Sequence, residues 1–552
     1  MSGKALDFFP VTRDDLDALR WDYVDVVLVT GDAYVDHPSF GTAVIARVLE
    51  RDGLRVAVLA MPRWREPAVI ATFGRPRLFF GVSSGNVDSM IARHTAFKKV
   101  RNDDPYTPAG IESGKPERAV IVYCNMIRAV YKDVPIVIGG IEASMRRFAH
   151  YDFWSDRVRR SIILDARAHL LVYGMGEGQV REAAKRIREG NSLSGIPGTV
   201  EVAREAPPGA LLLPPEEDAC ARPDAYLEFY RSYSRNQHRV LAMPSGKRFI
   251  VQYPQAETTR EALDAVYALP FTRKPHPSYA GKIPAFEMIK HSITAHRGCV
   301  SGCAFCSLSL HQGRRIVRRS VESVLAEARL IAAMDYFTGH ISDVGGPSAN
   351  MYGTGCAADW KCARESCAWP DLCPNLRPNS KEWMKLLASV EKVPGVKQVT
   401  VGSGIRYDLL MRDDPSCLRA LLARHVSGQL KIAPEHTSAR VLRAMRKAPL
   451  VDLEDFMREF FNAAKAAGKK LYVVPYLMSC HPGCTDADMS TMKNEVQKIF
   501  HFIPEQVQAF IPLPLTLSSV MYYTGKDPFT GETLFSEKDP RRRRRQHDIL
   551  FK

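Results

Sequence analysis

RGCVSGCAFCSL, residues Arg297 to Leu308, places Cys299, Cys303 and Cys306 inside eight positions, with three and then two residues between them. Thiols crowded into one loop are suited to wrap a single metal centre, because without a metal or a bond they would be reactive neighbours. Thiolates are the protein ligands of iron–sulfur clusters, and an electron-transfer cluster ordinarily takes four. Three leave one iron of a [4Fe-4S] cluster without a protein ligand, which is the difference between a closed structural metal site and an open catalytic one. A zinc knot completed by His296 or His311 is the plainer alternative. It is disfavoured because structural zinc usually draws its ligands from two separated C-x2-C-like knuckles.

The rest of the chain provides a setting for such a centre. At 552 residues it exceeds what one hydrophobic core organises, so two or three domains are expected. It is 45% hydrophobic and 25% charged, as in ordinary soluble proteins. No apolar run approaches the ~18 residues of a membrane span; the most apolar stretch, Ala119 to Ile141, is broken by Arg128, Lys132 and Asp133. The opening MSGKALDFFPVTRDDLD has no secretory layout and carries acidic residues. A cytoplasmic, reducing location is therefore expected, where twelve cysteines point to metal or redox chemistry rather than disulfides. Seven of them lie between Cys299 and Cys373. The net charge of +15 includes five from the run Arg541–Arg545, read as a solvated basic tail with RNA contact as the alternative.

From Tyr23 to about Arg188, short β-branched runs alternate with amphipathic stretches. DYVDVVLVTG, LRVAVLAM, RLFFGVSSG, AVIVYCNM and VPIVIGGIE read as buried parallel strands, with a helix over Gly41 to Arg51. This predicts an α/β, Rossmann-like doubly wound domain over residues 1–190. GMGEGQ, Gly174 to Gln179, lies too late for a dinucleotide fingerprint. Residues 191–284, with REAPPGALLLPPEEDACARPD, read as a connecting segment. A second parallel β/α unit is expected over 285–525, from HISDVGG, QVTVGSG, LKIAPEH, KLYVVPYLMS and VQAFIPL, followed by a basic tail over 526–552.

A second set, Cys356, Cys362, Cys367 and Cys373, has five, four and five residues between its members. Four thiols satisfy a closed site, read as an auxiliary Fe–S cluster first and structural Zn second. Cys480 and Cys484 flank HPG and are read as ordinary buried thiols. His311, Tyr407 and His436 are polar candidates near strand ends, but no catalytic acid or base is assigned.

With aromatic Phe305 just before its third cysteine, the C-x3-C-x2-C loop resembles the signature of the radical S-adenosylmethionine (SAM) superfamily. The resemblance implies a partial (β/α)6 TIM-type barrel, a cluster on Cys299, Cys303 and Cys306, and SAM chelated at the open iron. It also implies reductive cleavage to methionine and a 5′-deoxyadenosyl radical, driven by a reductant such as flavodoxin or ferredoxin. Gly345 and Gly346 of DVGGPSANMYG match that family's Gly-Gly-Glu motif, while Pro347 replaces its acidic residue. Ser403 and Arg406 follow the next strand and suit ribose hydroxyls and a carboxylate. Glu435 of KIAPEHTSARVLRAMRK stands where methylthiotransferase-like members carry Gln or Glu before a helix capped by Thr437 or Ser438.

RGCVSGCAFCSLSLHQGRRIVRRS, ISDVGGPSANMYG, IAPEH, the HPG at His481 to Gly483 and FIPLPLTLSSVMYYTGKDPFTG together resemble the YgiQ-type radical SAM family over nearly the whole chain. The N-terminal domain then corresponds to a cobalamin-domain-like unit. A cobalamin loop would read D-x-H-x-x-G, whereas Asp36 and His37 are adjacent and Phe40 stands at the glycine, which speaks against cobalamin. The substrate stays unidentified. The alternatives are an RNA methylthiotransferase-like enzyme, against which only some twenty residues follow Gly531, and a metal-stapled nucleic-acid-binding module.

Overall fold

Runs of Val, Ile, Leu and Phe that are apolar on both sides need burial on both faces, and parallel strands covered by helices satisfy this. The structure, a computed structural model, describes residues 7–552 apart from 112–113, 361, 363, 449 and 506, and only the backbone of Val451. It divides into two compact units, one formed by the chain up to Glu257 with Leu269–Lys290, the other by Thr258–Ala268 with His291–Lys552.

In the first unit, Val56–Ala60, Val26–Thr30, Phe79–Val82, Ile136–Ile138 and Leu170–Val172 lie side by side and parallel, the order 2-1-3-4-5 of a doubly wound sheet. Thr199–Ala203 continues the sheet antiparallel, followed by Arg248–Gln252, Leu241–Ser245 and Leu211–Leu212, giving nine strands. Residues 191–284 are therefore no connecting segment. Four sheet strands lie among their prolines: Pro223 opens the helix Pro223–Arg235, and Pro244 even sits within the strand Leu241–Ser245. Within that stretch Arg260–Tyr267 belongs to the second unit.

The run AVIVYCNM is also corrected: Ala119–Val130 is a helix, not a strand. Short apolar runs do not separate the two by periodicity. Tertiary partners decide here, since Ser89 Oγ and Glu142 Oε1 accept the N–H groups of Ala119 and Val120 at the helix start. Leu170–Val172, unremarked in sequence, supplies the fifth parallel strand.

In the second unit every strand pairing that follows is parallel and runs in chain order. Ser292–Thr294 pairs with Asp343–Gly345, and His340–Ile341 with Gln398–Val399. Ile405 bridges Ile432, and Gln429–Glu435, Tyr472–Ser479 and Val507–Ala509 complete six strand positions. The helices Val321–Ala332, Ser380–Glu391, Ser416–Arg424, Leu453–Ala466 and Asp486–Phe500 stand in the five connections. Leu453–Ala466 illustrates the packing rule by burying Leu453, Phe456, Met457, Phe460, Ala463 and Ala464, one face at three- and four-residue spacing. Parallel strands in order bring all their carboxyl ends to one side.

The expected basic tail is a docked helix, Pro540–Asp548, capped by Asp539, which accepts the Arg542 N–H at 2.9 Å. Arg543 is fully buried and donates to the Phe510 carbonyl, so one arginine of the run faces inward. Among the described residues no helix is long and apolar enough to cross a membrane.

Candidate active site at the strand ends

The first cysteine loop directly follows the first strand of the second unit. Gly298 and Gly302 carry it through positive φ, +91° and +60°. The Cys299 N–H donates to Gly313 O at 3.1 Å, the Ala304 N–H to Met445 O at 2.9 Å and the Ser518 N–H to Ala304 O at 2.9 Å. Backbone from three later segments thus holds the loop before any metal binds. The thiols of Cys299, Cys303 and Cys306 are half-buried and free. Burial pushes Cys303 up to about 11 and Cys306 up to about 12, with the neighbouring thiols adding to both. Such thiols ionise together only when a metal supplies the compensating charge. Among the described residues no three His, Cys, Asp or Glu side chains stand close enough to hold a single ion as they are. The donor set, three thiols on one loop, fits an iron–sulfur cluster.

The later strand ends surround this loop. After the third strand position, Arg406 Nε donates to Asp408 Oδ1 at 2.7 Å, a second guanidinium nitrogen donates to Asp408 Oδ2, and Nη1 reaches Ser301 Oγ inside the cysteine loop. Arg406 and Asp408 keep only 11% and 12% of their side chains exposed. Burial opposes the Asp408 charge, but Arg406 and then Lys447 outweigh it and hold the carboxyl below the usual range. Asn350 fixes the turn by donating from Nδ2 to Arg406 O and accepting from Arg406 N, both at 2.9 Å.

Glu435 ends the fourth strand at φ +68°, in the left-handed region that non-glycine residues seldom occupy. Burial raises its carboxyl, partly offset by Lys447, whose Nζ lies 3.6 Å from Oε1 and also donates to Ala433 O. Lys447, Arg406 and Glu435 all act electrostatically on Cys303. Phe305 stands edge-on to His481, ring centroids 6.1 Å apart, at the end of the fifth strand.

Gly345 and Gly346 end the second strand where side chains do not fit. A Cβ on Gly346 would lie 2.6 Å from the His296 ring, and one on Gly345 3.0 Å from Ser403 Oγ. Ser403 Oγ donates to Asp343, whose other oxygen accepts the Gly402 and Ser403 N–H groups at 2.8 and 3.0 Å. The six residues singled out in sequence, Phe305, Gly345, Gly346, Ser403, Arg406 and Glu435, therefore stand at or just after successive strand ends. Asp343, Asp408, Lys447 and Ser301 were missed. Their signal was present as polar residues within a few positions of motif residues, but only folding pairs them.

Two of the remaining polar candidates, His436 and Tyr407, are capping or packed residues. His436 Nδ1 accepts the N–H groups of Thr437 and Ser438, both at 3.0 Å, so histidine rather than a hydroxyl caps this turn. Its Nε2 lies 3.5 Å from Cys484 Sγ. Tyr407 is buried against Phe456, and His311 lies on the short helix Leu308–Gln312.

In the first unit, the strand order reverses between Val26–Thr30 and Phe79–Val82, where doubly wound sheets take ligands. Lys115 Nζ sits there, 2.7 Å from Asp32 Oδ1 and 3.4 Å from Asp104 Oδ2, almost wholly buried. Asp32 also accepts the Asn86 N–H at 2.6 Å. Asp36 is bound by Arg47 and by the Thr272 N–H, and His37 is fully buried edge-on to Phe40 and Phe286.

Residues 8–292 match the Radical SAM N-terminal family. With three cysteines on a loop after the first of a series of parallel strands, the molecule is a radical SAM enzyme. It is 48% identical over 99% of its length to a UPF0313 protein of Geobacter sulfurreducens, covering 92% of that protein, and 45% identical over 98% to one of Methanocella arvoryzae, also covering 92%. The chain belongs to the UPF0313, or YgiQ-type, family. In fold it is similar to the radical SAM methyltransferase TsrM of Kitasatospora setae solved with tryptophan and a SAM analogue, at 15% identity and a TM-score of 0.51, over 89% of this chain and 75% of that one.

Proposed function

We propose that this enzyme cleaves SAM reductively at a [4Fe-4S] cluster held by Cys299, Cys303 and Cys306 and directs the resulting radical at a substrate still to be identified. The carrying observation is the meeting of three thiols with Arg406, Glu435 and Lys447 at the carboxyl ends of consecutive parallel strands, the layout of a partial (β/α)6 barrel. A [4Fe-4S] cluster held by Cys299, Cys303 and Cys306 would supply the electron that reductive cleavage of SAM requires.

The chain's own residues would do the rest. Arg406 ties the cysteine loop to the third strand end through Ser301 and stays charged against Asp408. Gly345 and Gly346 let His296, Ala349 and Ser403 pack closely against the second strand end, which shapes the floor on which the methionyl part of SAM would lie. Asp343 and Ser403 offer paired oxygens to ribose hydroxyls, while Glu435 and Lys447 form a charged edge beside Cys303.

The first unit is read as working without cobalamin. What supports this is that Asp36 and His37 are committed to the interior, and that the strand-order reversal is filled by Asp32, Lys115 and Asp104. Anaerobic reconstitution tests the proposal. Protein loaded with iron and sulfide and then reduced should release 5′-deoxyadenosine from SAM, and Cys303→Ala should abolish it. A protein that takes up zinc alone in this loop, or loaded protein that leaves SAM intact, would overturn it.

A further inference from the structure

The second cysteine set is not a distant surface feature. Cys356 pairs in register with Leu376, which shares a buried cluster with Cys367 and Cys373, and Cys362 is near enough to act electrostatically on Cys367. Cys367 and Cys373 are buried in one apolar cluster with Val300, Ile316, Met351, Leu376 and Leu409, and Cys299 packs against that same cluster. The Cys373 N–H donates to Cys367 O at 2.8 Å, folding the end of the loop back on itself.

This loop is laid directly on the first. The Cys367 N–H donates to Val300 O at 3.1 Å, Ser366 Oγ donates to Ser301 O, and Arg314 donates to Arg364 O. A Cβ on Gly302 would lie 2.5 Å from Glu365 O, so the glycine between Cys299 and Cys303 is what lets the second loop approach. Arg446, beyond the fourth strand, stacks over Trp369 at 4.4 Å.

Between the paired two-residue strands Gly355–Cys356 and Leu376–Arg377, no helix or strand is found among the described residues. Ordering so long a loop costs chain entropy; burial of Cys367 and Cys373, with Trp360 and Leu372 packed against their cluster, offsets part of it, and a crosslink would offset more. Four thiols on one loop are the material for that crosslink.

We infer that Cys356, Cys362, Cys367 and Cys373 hold a second iron–sulfur cluster, closed by four protein thiolates, which clamps their loop over the back of the SAM-cleaving loop. Iron–sulfur is favoured over zinc because spacings of five, four and five contain no C-x2-C knuckle. A closed cluster has no open iron, so it takes neither SAM nor substrate. Its place beside Cys299 makes it a staple, and a neighbour for electrons entering the first site.

The inference deepens the reading above, and iron counting tests the two separately. The full chain carrying Cys299→Ala, Cys303→Ala and Cys306→Ala together, reconstituted anaerobically, should keep about four irons with matching sulfide and show the spectrum of a reduced cluster. Adding Cys362→Ser, a change at an exposed position, should remove or convert that cluster while circular dichroism stays as in the triple variant. A triple variant with no iron, beside wild type that holds one cluster and cleaves SAM, would overturn this inference and leave the proposed function standing. Zinc bound by these four thiols in anaerobically purified protein would overturn it too. Loss of iron from the wild type as well would sink both.

Discussion

Lys447 and Glu435 face each other 3.6 Å apart at the end of the fourth strand of the second unit, with only 11% and 13% of their side chains exposed. Their pairing is lopsided, because burial raises the Glu435 carboxyl more than Lys447 lowers it. A carboxyl held higher in the folded than in the unfolded state contributes stability below its ordinary value of 4.5 and loses it as pH rises through the folded value. Glu435→Gln should therefore match wild type in acid and gain on it towards neutral pH. Thermal melts of the metal-free proteins across pH 4 to 8 check this, and a gap that does not widen with pH refutes it.

Arg406 carries two partners at once, Asp408 and Ser301. Arg406→Ala strands a buried carboxylate and should cost about 3 to 5 kcal/mol in urea unfolding. Arg406→Lys keeps the charge but not the planar fork, so it should cost less in stability while lowering the affinity for SAM about tenfold, read by equilibrium binding to reconstituted protein.

Gly302 sits at φ +60° with the Glu365 carbonyl in the place of a side chain. Gly302→Ala should cost about 1 to 3 kcal/mol and speed hydrogen exchange of the Cys367 amide, which bonds to Val300. Gly468→Ala, at φ +62° with open space around it, should cost about 1 kcal/mol and leave that amide unchanged.

The C-terminal arginines divide by burial. Arg543→Ala removes a fully buried donor to the Phe510 carbonyl and should cost about 2 to 4 kcal/mol. Arg545→Ala breaks an exposed pair with Asp486 at 2.6 Å and should change stability by under about 1 kcal/mol. Chemical denaturation of the two variants side by side separates a structural helix from a solvated tail.

In the first unit, Lys115→Met would leave Asp32 and Asp104 facing each other uncompensated, an expected loss of about 3 to 5 kcal/mol that shrinks at acid pH as the Asp32 carboxyl, raised by burial, protonates. Equal destabilisation across pH would show that the lysine acts through packing alone.

Much of the architecture was legible in linear order. The runs QVTVGSG, LKIAPEH, KLYVVPYLMS and VQAFIPL all contain strands of the second unit, because β-branched and aromatic residues fit a pleated, part-buried strand. AVIVYCNM failed by the same criterion, since a buried helix reads alike over eight residues and its start is decided by Ser89 and Glu142. Residues 191–284 failed because proline marks turns without saying whether a sheet strand lies between them.

By itself the amino-acid order determined what short range can determine: three thiols within eight positions, the parallel β/α repeat and the glycines at the second strand end. Tertiary structure alone decided which charges meet those thiols and where the second cysteine loop lies. Arg406 reaches Ser301 across 105 positions, and Ser366 reaches it across 65. The physical reason is that hydrogen bonds and charge pairs form wherever the fold brings groups together, and no local pattern records partners that distant.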